Sequence, residues 1–343
     1  MIEPLEVLIR LGAGVLVLLV VLVISLLLKG LDRRFAAWLQ ARWGPPLLQP
    51  FYDIAKLWQK ENIIPERAVP WAFNGAPVLA LAGALALLFF IPIGPISVEG
   101  LGLWDGLNPI LGGYGDLILV IYLMAIPGLM MAVGGFASGS PLATVGAQRE
   151  MVMMMSYELP LAVVILAMAW RLSHADGSLL VFSMSDLSEN PVWNEVGIAG
   201  FFGLLVLAAV FFLIIPSELS KVPFDAPEAE TEIGGGIMAE YSGNNLSMFY
   251  IADAVKTVAF TALAVAIFFP YDLSPVFGIT EWPALVVDML FWLFKIEVLY
   301  FVSVTVIRVG AARLKIDKLS WFYLVPLSVL SVLGVLLLYL DTV

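Results

Sequence analysis

The chain contains no cysteine and only one histidine among its 343 residues. The lack of cysteine excludes disulfide bonds, thiolate-held zinc and iron–sulfur clusters bound by this chain, because those clusters are held by cysteine thiolates. The one histidine lies in a polar stretch, RLSHADGS at 171–178, which is a poor setting for haem ligation or a histidine-based metal site. We therefore expect no cofactor bound by this chain, and if electrons move, other subunits carry them.

Charged residues are scarce as well. They make up 13% of the chain, whereas about a quarter of the residues in soluble domains are charged. Hydrophobic residues make up 61%, and the mean hydropathy is +0.99. These values indicate an integral membrane protein. No polar block is large enough to fold alone, so we predict a single polytopic membrane domain over residues 1–343. The sequence also lacks the stripe of basic residues that would indicate binding to nucleic acid.

Apolar runs of about 20 residues, the length that crosses a bilayer, recur along the chain. We predict an all-α membrane protein with about eight transmembrane helices, at about 5–29, 75–96, 115–136, 155–171, 198–216, 246–270, 283–304 and 321–340. The first run continues directly into charged residues without a small-residue cleavage site. We expect it to be an anchor and not a removed signal peptide.

Lysine and arginine are concentrated in the connections after the first, third, fifth and seventh predicted spans. By the positive-inside rule these connections are cytoplasmic, so both termini lie on the outer side of the cell membrane. The first connection contains PPLLQPFYDIAKLWQKE at 45–61, where apolar residues follow helical spacing and charged residues face away. This pattern predicts an amphipathic helix lying at the membrane interface, and an ordinary amphipathic connector fits it equally well.

The connection after the fifth span carries the densest group of carboxylates in the chain. Its central stretch, PFDAPEAETEIGGGIMAEYSG at 223–243, is balanced by Lys221 alone. Asp225 is spaced to cap a short helix with Glu228 reaching back, and three glycines then end that helix. A solvated acidic turn is one interpretation. The functional alternative is a proton relay, since crowded carboxylates repel one another and some then hold protons near neutral pH.

Charged residues also occur within the predicted spans, where they are costly and mark functional sites. Glu158 opens the fourth span, and Lys295 and Glu297 lie near the middle of the seventh. Asp253 and Lys256 lie three residues apart in the sixth span. They either form an ion pair with each other at the membrane interface or belong to a path for ions through the membrane. Charges at several depths predict a hydrated route for protons or other cations.

Four motifs in order make the sequence resemble a known family. They are RWGPPLLQPFYDIAKLWQKE at 42–61, SGSPLATVGAQREMVMMMSYELP at 138–160, the acidic connection at 218–243, and RLKIDKLSW at 313–321. In these motifs the chain resembles the large membrane subunit that joins the two arms of respiratory complex I, from the NADH dehydrogenase subunit 1 family. It also resembles the relatives of that subunit in membrane-bound nickel–iron hydrogenases and sulfane reductases. The resemblance covers nearly the whole chain.

The resemblance implies a non-redox subunit that links a cluster-bearing peripheral arm to antiporter-like membrane subunits. Its cytoplasmic loops wall a chamber beneath that arm. The carboxylates that the resemblance assigns to an ion relay are Asp225, Glu228, Glu230, Glu232, Glu240 and Glu158, and the logic of burial adds Lys256, Lys295 and Glu297 as an inner path. Residues implied to line the chamber or its edges are Asp53, Arg149, Lys221, Tyr241, Arg313 and Asp317.

Two departures from the quinone-reducing members bear on the branch. Gly44 runs directly through two prolines to Leu47, without the usual insertion, and Lys221 replaces an arginine. This compact form resembles the hydrogenase and sulfane-reductase branch, in which iron–sulfur clusters and, for hydrogenases, nickel–iron lie in partner subunits. A quinone-chamber subunit is the alternative within the family. An independent secondary ion transporter is the alternative outside it, and that class predicts an internal repeat, which is not seen.

Overall fold

A computed structural model describes residues 4–91, 116–176, 182, 191–194, 196–279 and 282–342. Within these ranges the chain is helical, with no β-strand, and eight helices are long and apolar enough to cross a membrane. The predicted all-α fold with eight spans is therefore confirmed. Residues 92–96 and 115, which belong to predicted spans, lie outside the described ranges. The single-domain assignment stays a prediction.

The helices follow one another in simple order along the chain. They are α1 Pro4–Leu39, α2 Gln49–Trp58, α3 Pro70–Leu87, α4 Leu117–Ala137, α5 Pro141–Asp176, α6 Ile198–Glu218, α7 Gly243–Phe268, α8 at 282–310 and α9 at 316–342. Both last helices contain a π-helical turn, at Phe301–Thr305 and Tyr323–Leu327. Helix α5 begins far earlier than the predicted span, because residues 141–154 are helical although they are too polar to score as a span. Pro141 stands in the first turn, where proline is tolerated, and Gly146 alone does not end the helix.

Helix α7 forms the centre of the bundle. In its most apolar stretch 89% of the residues are buried, against 33–56% in the other seven spans. Helices α1, α2, α3, α4, α6 and α8 all contact it. Its second half is rich in alanine, which lets neighbouring helices approach closely, as is usual where helices pack in a membrane. Charges on the first half of α7 are therefore surrounded by protein.

Helix α2 is amphipathic, as predicted. Ile54 and Leu57 are buried, whereas the rings of Tyr52 and Trp58 are largely exposed. The Trp58 indole N–H donates a hydrogen bond of 2.9 Å to the Ser247 hydroxyl at the start of α7. The buried apolar side chains and the Trp58 N–H thus fix the helix against the bundle, while much of the aromatic surface of Tyr52 and Trp58 stays exposed.

The acidic connection folds as three short helical turns, at Ala226–Glu228, Glu230–Ile233 and Met238–Glu240. The expectation of one capped helix is wrong, because Ala229 has an extended ψ of 95° that interrupts it. Asp225 does precede the first turn, but its side chain makes no capping hydrogen bond. The spacing of Asp225, Glu228 and Glu232 would place them on one face of a continuous helix. In the structure Asp225 pairs with Arg313, Glu228 lines a cavity and Glu232 pairs with Arg149, so that prediction is wrong as well.

The glycines after the second turn have a clear structural role. Gly234, Gly235 and Gly236 all have positive φ, and a Cβ on Gly236 would lie 2.3 Å from the carbonyl oxygen of Pro227. The chain can therefore fold back on itself only without a side chain there. The returning segment brings Tyr241 against α3 and α4. Its ring stacks on Phe73 with 4.1 Å between ring centroids.

Candidate functional site

Three ionisable side chains meet in a buried cluster between α5, α6 and α7. Glu150, Glu218 and Lys256 are 3%, 3% and 6% exposed. The Lys256 ammonium forms an ion pair with Glu218 Oε1 at 2.7 Å and donates a hydrogen bond to the Glu218 carbonyl oxygen, also at 2.7 Å. Gly128 of α4 faces the cluster, and a Cβ there would lie 2.9 Å from Glu150 Oε1 and 3.9 Å from Lys256 Nζ. This acidic cluster holds two carboxyl groups and one ammonium.

A second cluster nearby has the opposite balance. Asp253 of α7 accepts hydrogen bonds from Lys29 at 2.6 Å and from Lys221 at 2.8 and 3.0 Å. Two ammonium groups therefore share one carboxylate in this basic cluster. The alternative that Asp253 pairs with Lys256 is wrong, because Lys256 turns towards Glu218 of α6 while Asp253 turns towards α1 and the acidic connection.

A cavity of about 40 Å³ joins the two clusters. Glu150, Glu218, Lys256, Asp253 and Glu228 all contribute to its walls. A water molecule needs roughly 10–15 Å³ measured in this way together with polar partners, so the cavity has room for a few waters. The two clusters thus face one space that water can fill.

Glu228 is the cavity-lining carboxyl of the acidic connection. Burial raises its pKa to about 7, the nearby Lys221 ammonium opposes that rise, and the Asp253 carboxylate adds to it. Its side chain therefore gains and loses a proton close to neutral pH, while it stands between a cluster with a surplus carboxyl group and one with a surplus ammonium.

Two other carboxylates of the connection form ion pairs outside the cavity. Asp225 accepts hydrogen bonds from both Nε and a terminal nitrogen of Arg313, which also donates to the Thr231 hydroxyl at 2.9 Å. Glu232 pairs with Arg149 at 2.5 Å. These contacts tie the acidic connection to the segment before α9 and to α5. Both carboxylates and both arginines therefore hold the loop in place.

The remaining residues predicted in the connection and at its edges lie away from the cavity. Glu230 and Asp317 are exposed, and Glu240 is half-buried. Asp53 is held by Arg33 at 2.7 Å and by the Gln49 amide at 2.9 Å, and these hydrogen bonds lower its pKa although partial burial opposes them. None of these four carboxylates joins the acidic or the basic cluster. Half-buried Glu158 of α5, by contrast, is close enough to Glu218 for their charges to interact.

Lys295 lies at the other end of the bundle. Its ammonium donates to the carbonyl oxygens of Phe269 and Tyr271 at 3.0 and 2.7 Å, just beyond the C-terminus of α7. The structure does not bring it together with the acidic connection, which precedes the N-terminus of that helix. Glu297, on the same helix α8, does not bond with Lys295. Both carboxyl oxygens of Glu297 are buried without a hydrogen-bond partner among the described residues.

The sequence does not single out three charges that lie in the interior, Glu150, Lys29 and Asp32. Glu150 precedes the predicted fourth span, Lys29 ends the predicted first span and Asp32 follows it. Asp32 is 2% exposed, accepts a hydrogen bond of 2.6 Å from the Thr305 hydroxyl and pairs with Arg308 at 3.0 Å. For Lys29 and Asp32 the available signal is the lack of proline from residue 5 through residue 39, because an uninterrupted α1 carries both side chains into the bundle.

Comparisons with known proteins agree on the family. The family model for NADH dehydrogenase matches residues 13–338. The H-type subunit of the NADH-quinone oxidoreductase of Rubrobacter xylanophilus is 32% identical over 326 residues, covering 92% of this chain and 91% of the relative. The corresponding subunit of Brevibacillus brevis is 32% identical over 335 residues, covering 94% and 90%.

The fold is also similar to that of a solved structure. A chain in the structure of the membrane-bound sulfane sulfur reductase, an archaeal respiratory membrane complex, matches with a TM-score of 0.80 and 25% identity, covering 95% of this chain and 98% of that one. No three histidine, cysteine, aspartate or glutamate side chains converge to hold a metal ion in the part of the chain that the structure describes. From these matches, the chain belongs to the NADH dehydrogenase family and is a membrane subunit of the complex I type.

Proposed function

We propose that this chain translocates ions within an energy-converting oxidoreductase complex, and that the cavity between the two clusters is the gate of its relay. The observation that carries the proposal is the shared cavity itself. A buried acidic cluster and a partly buried basic cluster face it, and Glu228, whose pKa is about 7, lies between them. An ion pair that only stabilises the fold needs neither a neighbouring cluster with a net charge nor a cavity that holds water.

The charge balance suggests how the gate works. When Glu228 is ionised, its charge complements the surplus ammonium of the basic cluster, and when Glu228 is protonated that complement is lost. A proton can pass by way of water to Glu150 or Glu218, since the acidic cluster has one carboxyl group more than Lys256 can neutralise. Glu158 lies beyond Glu218 and continues this route. We keep the assignments of Glu297 and Lys295 to an inner path as predictions.

Coupling requires that a redox step change the free energy of one protonation state relative to the other. The acidic connection offers the means, because its ion pairs to Arg149 and Arg313 join it to two other segments on the same end of the bundle. A cluster-bearing peripheral subunit that binds there would act on Glu228 through these segments. We propose that this end is cytoplasmic, that both termini face outward, and that antiporter-like membrane subunits carry the ion further.

The test is redox-driven ion uptake by the assembled complex in liposomes, measured with a pH-sensitive dye. Glu228→Gln removes the titrating group and keeps the size of the side chain, so we expect proton uptake to fall at least tenfold. Glu230→Gln is the matched control, because it makes the same change on an exposed residue of the same connection that does not line the cavity. Electron-transfer rates measured in parallel separate loss of coupling from loss of assembly.

The proposal fails if the Glu228→Gln complex pumps at the wild-type rate. Equal loss of uptake in the two variants assigns the effect to the surface of the connection and also contradicts a relay through the cavity.

The electron acceptor separates two candidates within the family. The fold similarity to a sulfane sulfur reductase and the compact Gly44–Leu47 segment favour a complex that reduces sulfane sulfur or protons, with iron–sulfur clusters and, for protons, nickel–iron in partner subunits. The curated relatives, which are subunits of NADH-quinone oxidoreductases, favour a quinone. Membranes that contain the complex, given the native electron donor, distinguish these candidates by which acceptor is consumed.

A further inference from the structure

A separate cavity of about 230 Å³ lies between α1, α2 and the start of α7. Its walls combine two kinds of surface. Apolar side chains such as Leu26, Ile54 and Leu57 form one part, and four cationic side chains form the other, namely Lys29, Arg33, Lys56 and Lys60. Asp53 is the one carboxylate among the described residues that line this basic pocket.

The basic pocket keeps unpaired positive charges after its ion pairs are counted. Arg33 pairs with Asp53, and Lys29 pairs with Asp253, which it shares with Lys221 in the basic cluster. Lys56 and Lys60 are exposed, and neither forms an ion pair with any residue that the structure describes. Two positive charges therefore remain at the mouth of the pocket for an anion from outside the chain.

An apolar stripe on α1 leads directly into this pocket. Val15, Leu19, Leu22 and Leu26 are spaced by four, three and four residues, and Lys29 and Arg33 continue the same spacing. Residues with this spacing lie on one face of a helix. Val15 and Leu19 are 56% and 61% exposed, so the stripe offers apolar surface to the bilayer below the cations.

We propose that the basic pocket binds the phosphate head group of an anionic membrane lipid, with an acyl chain lying along the α1 stripe. An apolar stripe that changes to lysine and arginine at one level matches the two chemical halves of such a lipid. Basic pockets between membrane helices are known to select anionic head groups. The exposed rings of Trp58 and Tyr250 at the same level are typical of the membrane interface. This inference does not depend on the proposed ion relay.

The experiment uses the whole complex, stripped of loosely held lipid in detergent and then incubated with mixed micelles of phosphatidylglycerol or phosphatidylcholine. Native mass spectrometry counts the lipid retained on the subunit. For the wild-type complex we expect retention of phosphatidylglycerol and not of phosphatidylcholine. The Lys56→Gln/Lys60→Gln variant should bind phosphatidylglycerol more weakly by about fivefold for each lysine removed, which corresponds to about 1 kcal/mol each.

The matched control is Lys315→Gln/Lys318→Gln, which removes the same charge from exposed lysines at the same end of the bundle. It should bind phosphatidylglycerol as the wild type does. Equal retention of the two lipids by the wild type overturns the proposal without reference to any variant, and so does the absence of any retained lipid. Displacement of phosphatidylglycerol by inorganic phosphate alone also overturns it, because that result would indicate a simple anion site.

Discussion

The middle of α7 and the segment beyond its C-terminus hold the same kinds of charge in different ways. Beyond the C-terminus, Lys295 donates to the carbonyl oxygens of Phe269 and Tyr271. Asp288 there accepts hydrogen bonds from the backbone N–H groups of Leu273 and Ser274 at 3.0 and 2.7 Å. In the middle of the helix, Lys256 and Asp253 instead bind other ionisable side chains around a cavity.

This difference separates structural charges from titrating ones. A lysine on helix-ending carbonyl groups, or a carboxylate on free N–H groups, takes its hydrogen bonds from backbone dipoles whose charge is fixed. Lys295 interacts with the charges of Asp272 and Asp288 as well, but its hydrogen bonds go to the backbone. Lys256 instead lies between two carboxyl groups, whose charge depends on whether they hold a proton. The chemical nature of the bonded partners therefore distinguishes the two regions.

The largest effect is expected for Lys256→Met. It leaves the Glu150 and Glu218 carboxyl groups buried without an ammonium, and breaking a buried pair costs about 3–5 kcal/mol. We expect the free energy of unfolding of the purified subunit, measured by denaturant titration in detergent, to fall by that amount. We also expect the complex to lose ion uptake. The double variant Lys256→Met/Glu218→Gln removes one uncompensated carboxyl group and should regain at least half of the lost stability. Strict additivity of the two changes would show that the pair is not coupled.

A smaller effect is expected from pH acting on Glu228. The pKa of its carboxyl rises from the ordinary 4.5 to about 7, so between these values the folded chain holds a proton that the unfolded chain has released. The free energy of unfolding therefore falls as pH rises through this window and is constant above it. Because Glu228 is partly exposed, we expect a fall of about 1–2 kcal/mol. Glu228→Gln should lack it, and the same slope in both proteins would assign the effect to another group.

Asp225→Asn tests an ion pair outside the cavity. It removes the charge from the bidentate pair with Arg313 and keeps the shape, at a site where the arginine is partly exposed. We expect a loss of about 1 kcal/mol in stability, since partly exposed pairs contribute little. Ion uptake by the assembled complex should change less than twofold, because the ion pair between Glu232 and Arg149 still joins the acidic connection to α5. A tenfold loss of uptake would place Asp225 in the relay after all.

The smallest effect is expected for Lys295→Met. The variant loses hydrogen bonds to two carbonyl groups that are partly reached by water, so we expect a loss of about 0.5–1 kcal/mol in the free energy of unfolding. A structural lysine predicts unchanged ion uptake, whereas the inner-path assignment predicts a loss of uptake. Measured beside Lys256→Met, this variant is the direct test of the contrast between the middle of α7 and the segment beyond its C-terminus. Similar losses of ion uptake in both variants would break that contrast and would support the inner-path prediction for Lys295.

Composition and periodicity were sufficient to predict the eight spans, the amphipathic α2 and the acidic connection as the place of interest. They could not rank the carboxylates within that connection. Glu228 and Glu230 are two residues apart and look alike in sequence, but the extended backbone at Ala229 sends one into the cavity and leaves the other in water. Partner choice across helices, such as Asp253 with Lys29, depends on tertiary packing that spacing along one helix does not encode.

The stacked pair of Tyr241 and Phe73 has a mechanical consequence. The Tyr241 hydroxyl donates to the Phe73 carbonyl oxygen at 3.2 Å, and Gly134 of α4 lacks the side chain whose Cβ would lie 2.3 Å from that hydroxyl. The far end of the acidic connection is thereby clamped between two membrane helices, while its near end is clamped by Arg313. Because the loop is held at both ends, a displacement of its outer surface would move α3 and α4 and would not be confined to the loop.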